Sequence, residues 1–139
     1  MRHRTQRRGQ SLVEFALLAP IVFLAFFGLF DLGGAVYTYN TLAHGTQTAA
    51  AYASLHCGYN GSGYTSSQLG QQVLASGQLL QAPQLTVSAT PTNGNGCTQP
   101  GAAITVTSTY LYHPLTPMMQ AFFPQGGLSL QASAEVLAQ

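Results

Sequence analysis

The chain has 139 residues and only seven formal charges: Arg2, Arg4, Arg7 and Arg8 lie in the first eight positions, and the acids are Glu14, Asp31 and Glu135. No Lys or Arg occurs from Ser11 onward, so no basic surface can follow a phosphate backbone and no nucleic-acid partner is expected. Three scattered acids, no phosphate-binding loop and no Ser-His-Asp arrangement argue against an enzyme and imply no cofactor.

Residues 1–9 are polar and basic and are expected to be disordered. From Leu12 to Phe30 run nineteen residues with one charge, Glu14, and one helix breaker, Pro20. A helix of that length covers about 28 Å, close to the hydrocarbon thickness of a bilayer. A basic cluster beside such a span marks its cytoplasmic end. A cleaved secretory signal is the rival reading, but the span exceeds the usual apolar region of roughly 7–15 residues. Its best small-residue cleavage site, Gly33-Gly34-Ala35, comes late, and a retained anchor is favoured. Pro20 removes a backbone donor and clashes with the carbonyl of Ala16. It predicts either a simple kink or a point of melting, and the sequence does not separate the two.

Glu14 is costly inside an apolar helix, roughly 2.5–3.5 kcal/mol at mid-membrane and less near the edge. On one reading it reaches the headgroups or meets the positive helix N-terminus. On another, a cut after Gly9 gives Gln10 a free amine, and a neighbouring subunit's amine neutralises Glu14 in lipid. Such a pair selects the axial register between helices, because a buried charge without its partner is strongly unfavourable.

The helical period continues past the span. Leu32, Ala35, Val36, Tyr39, Leu42, Ala43, Thr46, Ala49, Ala50 and Ala53 recur at three- and four-residue spacing, which predicts one helix over residues 11–55. The stripe is made mostly of small residues, with Gly28, Gly33, Gly34 and Gly45 alongside, and suits close helix-on-helix packing; packing on the chain's own domain explains part of it. A Gly-rich loop from Cys57 to Tyr64 ends this helix. Thr65-Ser66-Ser67 then caps a short helix carrying Leu69, Val73, Leu74 and, in one reading, Leu79-Leu80. After Pro83 the period becomes two. Leu85, Val87 and Ala89 form one strand, Ile104, Val106, Ser108, Tyr110 and Tyr112 the face of a second, and Leu128, Leu130, Ala132, Ala134 and Val136 that of a third. Residues 91–96 are dense turn chemistry. The expected fold class is α+β: a long N-terminal helix, membrane-spanning in its first half and amphipathic in its second, packed on a small antiparallel sheet. Residues 114–124 are strongly apolar for a loop, fitting core, a membrane-touching segment or a subunit contact.

Cys57 and Cys97 both follow the span. With a cytoplasmic N-terminus they face an oxidising compartment, where a disulfide is expected. It closes about forty residues and contributes roughly 3–4 kcal/mol. A metal site is the weaker alternative, since the histidines show no ligand spacing beyond His56 adjoining Cys57.

Arg7-Arg8-Gly9, then Gln10-Ser11-Leu12-Val13-Glu14-Phe15 and an apolar span, resembles the type IV prepilin processing site. More closely, residues 9–20, with the acid followed by Phe15 and the Ala16-Leu17-Leu18-Ala19-Pro20 run, resemble the TadE-like pseudopilins of the tight-adherence (Flp) pilus system. The resemblance extends through Phe30-Asp31-Leu32-Gly33 to about Ala53 and weakly into Leu115-Thr116-Pro117. It implies cleavage between Gly9 and Gln10 by a prepilin peptidase and an assembly role for Glu14, next to Phe15. It further implies a minor pilin or assembly factor whose partners are other pilin subunits and inner-membrane pilus assembly proteins. Family members often carry more Arg and Glu after the membrane, whereas this chain has only Asp31, so its partner contacts would depend little on salt bridges.

The expected organisation is a basic leader (1–9), a transmembrane segment (10–31), a helix continuing outside (32–56) and a small pilin-like extracytoplasmic domain (57–139). The location implied is the bacterial inner membrane, single-pass with the N-terminus cytoplasmic and the C-terminal domain outside, with an extracellular pilus as a further destination. An uncleaved, membrane-anchored binding module is the alternative, and an exported enzyme starting near Ala35 is a third.

Overall fold

The computed structural model describes residues 6–57, 63–91, 101–121, 123 and 126–139. Helix α1 (Gln6–His56) is followed by α2 (Ser66–Ala75), a 3-10 turn (Ala82–Gln84), strands β1 (Leu85–Pro91) and β2 (Ala103–Tyr112), the single turn α3 (Pro117–Gln120) and strand β3 (Leu128–Leu137). The architecture is α+β: the C-terminal half of α1 packs on an antiparallel sheet of order β1-β2-β3. The Gly-rich loop at residues 58–62, the turn residues 92–96, Cys97 and Phe122 lie outside the described residues.

α1 is 51 residues long, about 76 Å at 1.5 Å per residue. Residues 6–9, expected to be disordered, are its first described turn. Gln and Arg are good helix formers, and an existing helix extends at little cost.

α2 starts at a capping box: Thr65 Oγ1 accepts the N–H of Gln68, whose side chain accepts the N–H of Thr65 at 2.9 Å. The helix stops at Ala75, so Leu79 and Leu80 lie beyond it, Leu80 still reaching the core.

The strand alternation is as expected. Ile104, Val106, Ser108 and Tyr110 of β2 are buried, while the residues between them are half-buried. Pairing sets Val87, Ser108 and Ala132 side by side across the three strands. Leu42, Ala49, Ala50 and Ala53 of α1, with Leu69 and Val73 of α2, complete the core. At the far end, the Gln139 N–H bonds to the Ser54 carbonyl at 3.3 Å, joining the end of the chain to the last turns of α1.

The buried face of α1 differs from the expected stripe in its first turns. Leu32, Val36 and Tyr39 are exposed, and the face turned to the domain starts with Asp31, Gly34 and Thr38 beside the expected Ala35; the two descriptions agree from Leu42 on. The cause is Tyr112 at the end of β2, whose hydroxyl donates to the Asp31 carbonyl at 3.3 Å. A Cβ on Gly34 would lie 2.5 Å from that hydroxyl, so the helix must show its smallest residues there. Thr38 and Thr46 are buried without penalty because each hydroxyl donates to the carbonyl four residues back, at 2.8 and 2.7 Å.

Gly45 serves the same kind of close packing: a Cβ there would stand 3.0 Å from the Val73 carbonyl oxygen of α2. Gly28 and Gly33 have open space around them. Of the five glycines of α1, Gly34 and Gly45 therefore seat the domain, while Gly9, Gly28 and Gly33 leave open space.

Candidate functional site: the exposed helix and the Asp31 clasp

Every large apolar side chain from Leu12 to Phe30 is exposed. Residues 9–30 touch almost nothing else among the described residues, and the helix is long and apolar enough to cross a membrane. Within this rod, Gly9 and Gln10 lie in the exposed first turns. Glu14 is exposed, with Gln10 Nε2 at 3.5 Å from its Oε1, at the outer limit of a hydrogen bond. Phe15 is exposed beside it. Helical assignment continues unbroken through Pro20. The structure thus brings Gln10 and Glu14 together along one helix face, one turn apart. Cys57 is fully buried at the opposite end of α1, while Cys97, its expected partner, lies outside the described residues.

The polar centre that sequence reasoning missed is Asp31. Its side chain is 4% exposed and faces the loop after β2. Oδ1 accepts the Leu115 N–H at 3.0 Å, and Oδ2 accepts the Thr116 N–H at 3.4 Å together with the Thr116 hydroxyl. Thr116 is also the N-cap residue of α3, and its own side chain does not cap that turn. The Asp31 carboxylate supplies a negative charge there, beside the positive end of the turn. Gln120 Nε2 closes the loop by donating to the Pro114 carbonyl at 2.8 Å. One carboxylate thereby ties residues 114–120 to the helix at the point where the exposed rod meets the domain.

Asp31 also acts on Tyr112. Burial, and secondarily the negative charge of Asp31, hold the Tyr112 phenol above its ordinary value of 10.0. Between the clasp and the helix is an apolar cleft of about 70 Å³, lined by Gly28, Leu32, Ala35, Met119, Phe123 and Leu128 among others. Among the described residues, no three His, Cys, Asp or Glu side chains come together in a metal-binding group.

The signal for Asp31 was present in the sequence. It is the sole formal charge between Glu14 and Glu135, and an isolated acid at the edge of an apolar helix calls for a partner.

The fold and site define a small α+β domain carried on one exposed, apolar helix. Residues 9–51 match the family model described as TadE-like protein, a family associated with the Tad pilus. The match covers the segment that carries the resemblance and ends before the sheet. No curated protein and no solved structure matches the chain.

Proposed function

We propose that the protein is a minor pilin or assembly factor of a tight-adherence (Flp) pilus, anchored in the inner membrane by residues 10–31 with its N-terminus in the cytoplasm. The observation that carries this reading is the exposed apolar rod of α1, which holds Gly9, Gln10 and Glu14 in the segment matched by the TadE-like family. A prepilin peptidase cuts between Gly9 and Gln10. Gly9 is the poorest helix former of the first turns, so opening that turn to present the scissile bond costs little. The freed amine of Gln10 on one subunit then pairs with Glu14 of another in lipid, where an unpaired charge is costly, and this sets their stagger. Phe15 packs beside that pair, and Pro20 gives the helix a place to bend as it leaves the bilayer. Residues 32–56 and 57–139 stay outside, held by a Cys57–Cys97 disulfide, and meet other pilin subunits and assembly proteins.

The test is the N-terminal residue of protein recovered from its native membranes, read by mass spectrometry with and without Gly9→Leu. A start at Gln10 that Gly9→Leu abolishes is the expected result. An intact Met1 in cells with active prepilin peptidase overturns it and leaves an uncleaved binding module. In the same spectra the disulfide appears as a mass two hydrogens below the reduced chain, and a fully reduced protein from the envelope removes that part of the proposal.

A further inference from the structure

We propose that residues 114–121 and Phe123 form a second membrane-contacting surface, a lipid-facing foot that Asp31 holds at the bilayer interface beside the point where α1 emerges. The inference rests on the reading that residues 10–31 are embedded in the membrane, and it concerns a segment that reading leaves without a role.

Height comes first. From Ser11 to Asp31 the helix rises about 30 Å, the thickness of the hydrocarbon layer. Asp31 therefore stands at the outer edge of the apolar layer when Ser11 stands at the inner edge. The Leu115 N–H is 3.0 Å from the Asp31 carboxylate, so the loop is fixed at that same level and cannot ride away with the sheet.

Exposure and chemistry come next. Leu115 is 83% exposed, the highest value for any large apolar side chain among the described residues. Pro117 is exposed beside it, Met119 and Phe123 are half-buried, and Pro114 is the only buried one among the described residues of the segment. The segment is therefore not core. It has no formal charge, and the nearest acid, Asp31, is occupied by the loop's own donors. The domain's other acid, Glu135, pairs in register with Thr105 toward the opposite end of the sheet. Apolar side chains without charge at the headgroup boundary gain by entering it.

Continuity points to lipid as the occupant. The cleft between the loop and α1 is lined by Gly28 and Leu32 on one side and Met119 and Phe123 on the other. The span and the loop thus share one largely apolar cleft, and its one charged group, Asp31, is turned to the loop's own donors.

The protein contains no Trp, so single-Trp variants report position directly. Full-length Leu115→Trp, Phe23→Trp and Leu137→Trp proteins are reconstituted in phosphatidylcholine vesicles containing lipids brominated at shallow or deep acyl positions. Leu137 is exposed at the far end of β3, about 30 Å along the strand from Leu128. The expected result is deep quenching of Phe23→Trp, shallow quenching of Leu115→Trp at least twofold above Leu137→Trp, and blue-shifted emission from Leu115→Trp. Adding Asp31→Ala, or the milder Thr116→Val, lowers the Leu115→Trp quenching toward the Leu137→Trp level. Quenched Phe23→Trp with Leu115→Trp at the Leu137→Trp level overturns the foot and leaves the anchor intact. Unquenched Phe23→Trp overturns the anchor reading and the foot with it. Blue-shifted but unquenched Leu115→Trp means a protein occupant and overturns the lipid assignment. Quenching unchanged by both clasp variants overturns the role given to Asp31.

Discussion

Asp31 and Leu115 are 84 residues apart in sequence, and a 3.0 Å hydrogen bond from the Leu115 N–H to the Asp31 carboxylate joins them. The carboxylate accepts two backbone donors and one hydroxyl in a nearly solvent-free position. Removing it strands those donors, so Asp31→Ala should destabilise the domain by about 2–4 kcal/mol. Asp31→Asn, which keeps one acceptor, should cost about half as much. Denaturant unfolding of the detergent-solubilised protein measures the loss, and amide exchange at Leu115 and Thr116 locates it. A change under about 0.5 kcal/mol for Asp31→Ala, the range of ordinary surface substitutions, would show that the clasp contributes nothing.

The two classes of glycine in α1 should respond in opposite directions. Gly45→Ala forces α2 away, because its Cβ meets the Val73 main chain at 3.0–3.1 Å and the Ser76 side chain; a loss of about 1–3 kcal/mol is expected. Gly33→Ala meets nothing and should gain up to about 1 kcal/mol from helix propensity. Thermal unfolding of the two variants side by side decides it. Equal effects would mean that the α1–α2 contact yields to an added methyl group.

Ser108 Oγ is fully buried at the centre of the sheet and has no hydrogen-bond partner among the described residues. Its neighbours in register are Val87 and Ala132, which offer it no side-chain acceptor. Ser108→Ala should therefore be neutral or stabilising, by up to about 1 kcal/mol, since it removes an uncompensated desolvation cost. Destabilisation beyond that amount would reveal a partner for this hydroxyl.

Tyr112 sets an alkaline limit. Its phenol is held above 10.0 in the folded chain by burial first and the Asp31 charge second, and Tyr64 is raised in the same direction by burial. Between the unfolded value and the raised folded value, the unfolded chain binds fewer protons, so stability falls as pH rises. The contribution is fully present below pH 10 and is lost as pH climbs through the folded-state value. Unfolding midpoints measured from pH 8 to about 12 should decline above about 10, and less steeply in Tyr112→Phe. A Tyr112→Phe profile parallel to that of the parent would remove Tyr112 from the account.

Much of the fold was legible because it depends on local patterns. The alternation in Ile104–Val106–Ser108–Tyr110 marks a strand wherever it pairs, and Thr65 with Gln68 spells a helix start without reference to the rest of the chain. The facing of α1 near Asp31 was not legible. There, Leu32, Val36 and Tyr39 have the spacing and apolarity of a core stripe, yet the sheet approaches the neighbouring face, through Tyr112. Hydrophobic period finds a helix, but a close approach is set by which residues are small enough to permit it. The clasp was hidden for a second reason. Asp31 and Thr116 read separately as an edge acid and a loop threonine, and their pairing exists only once β2 has carried the chain back to the helix.

α1 runs from the first described turn to the end of the domain as one uninterrupted helix, and this fixes an angular relationship as well as an axial one. Each residue inserted between Pro20 and Phe30 would turn the sheet by about 100° about the helix axis relative to Glu14, and about seven would nearly restore the original bearing. The rod therefore works as a keyed shaft: the direction in which Glu14 points at one end dictates the direction in which the sheet and Leu115 point at the other.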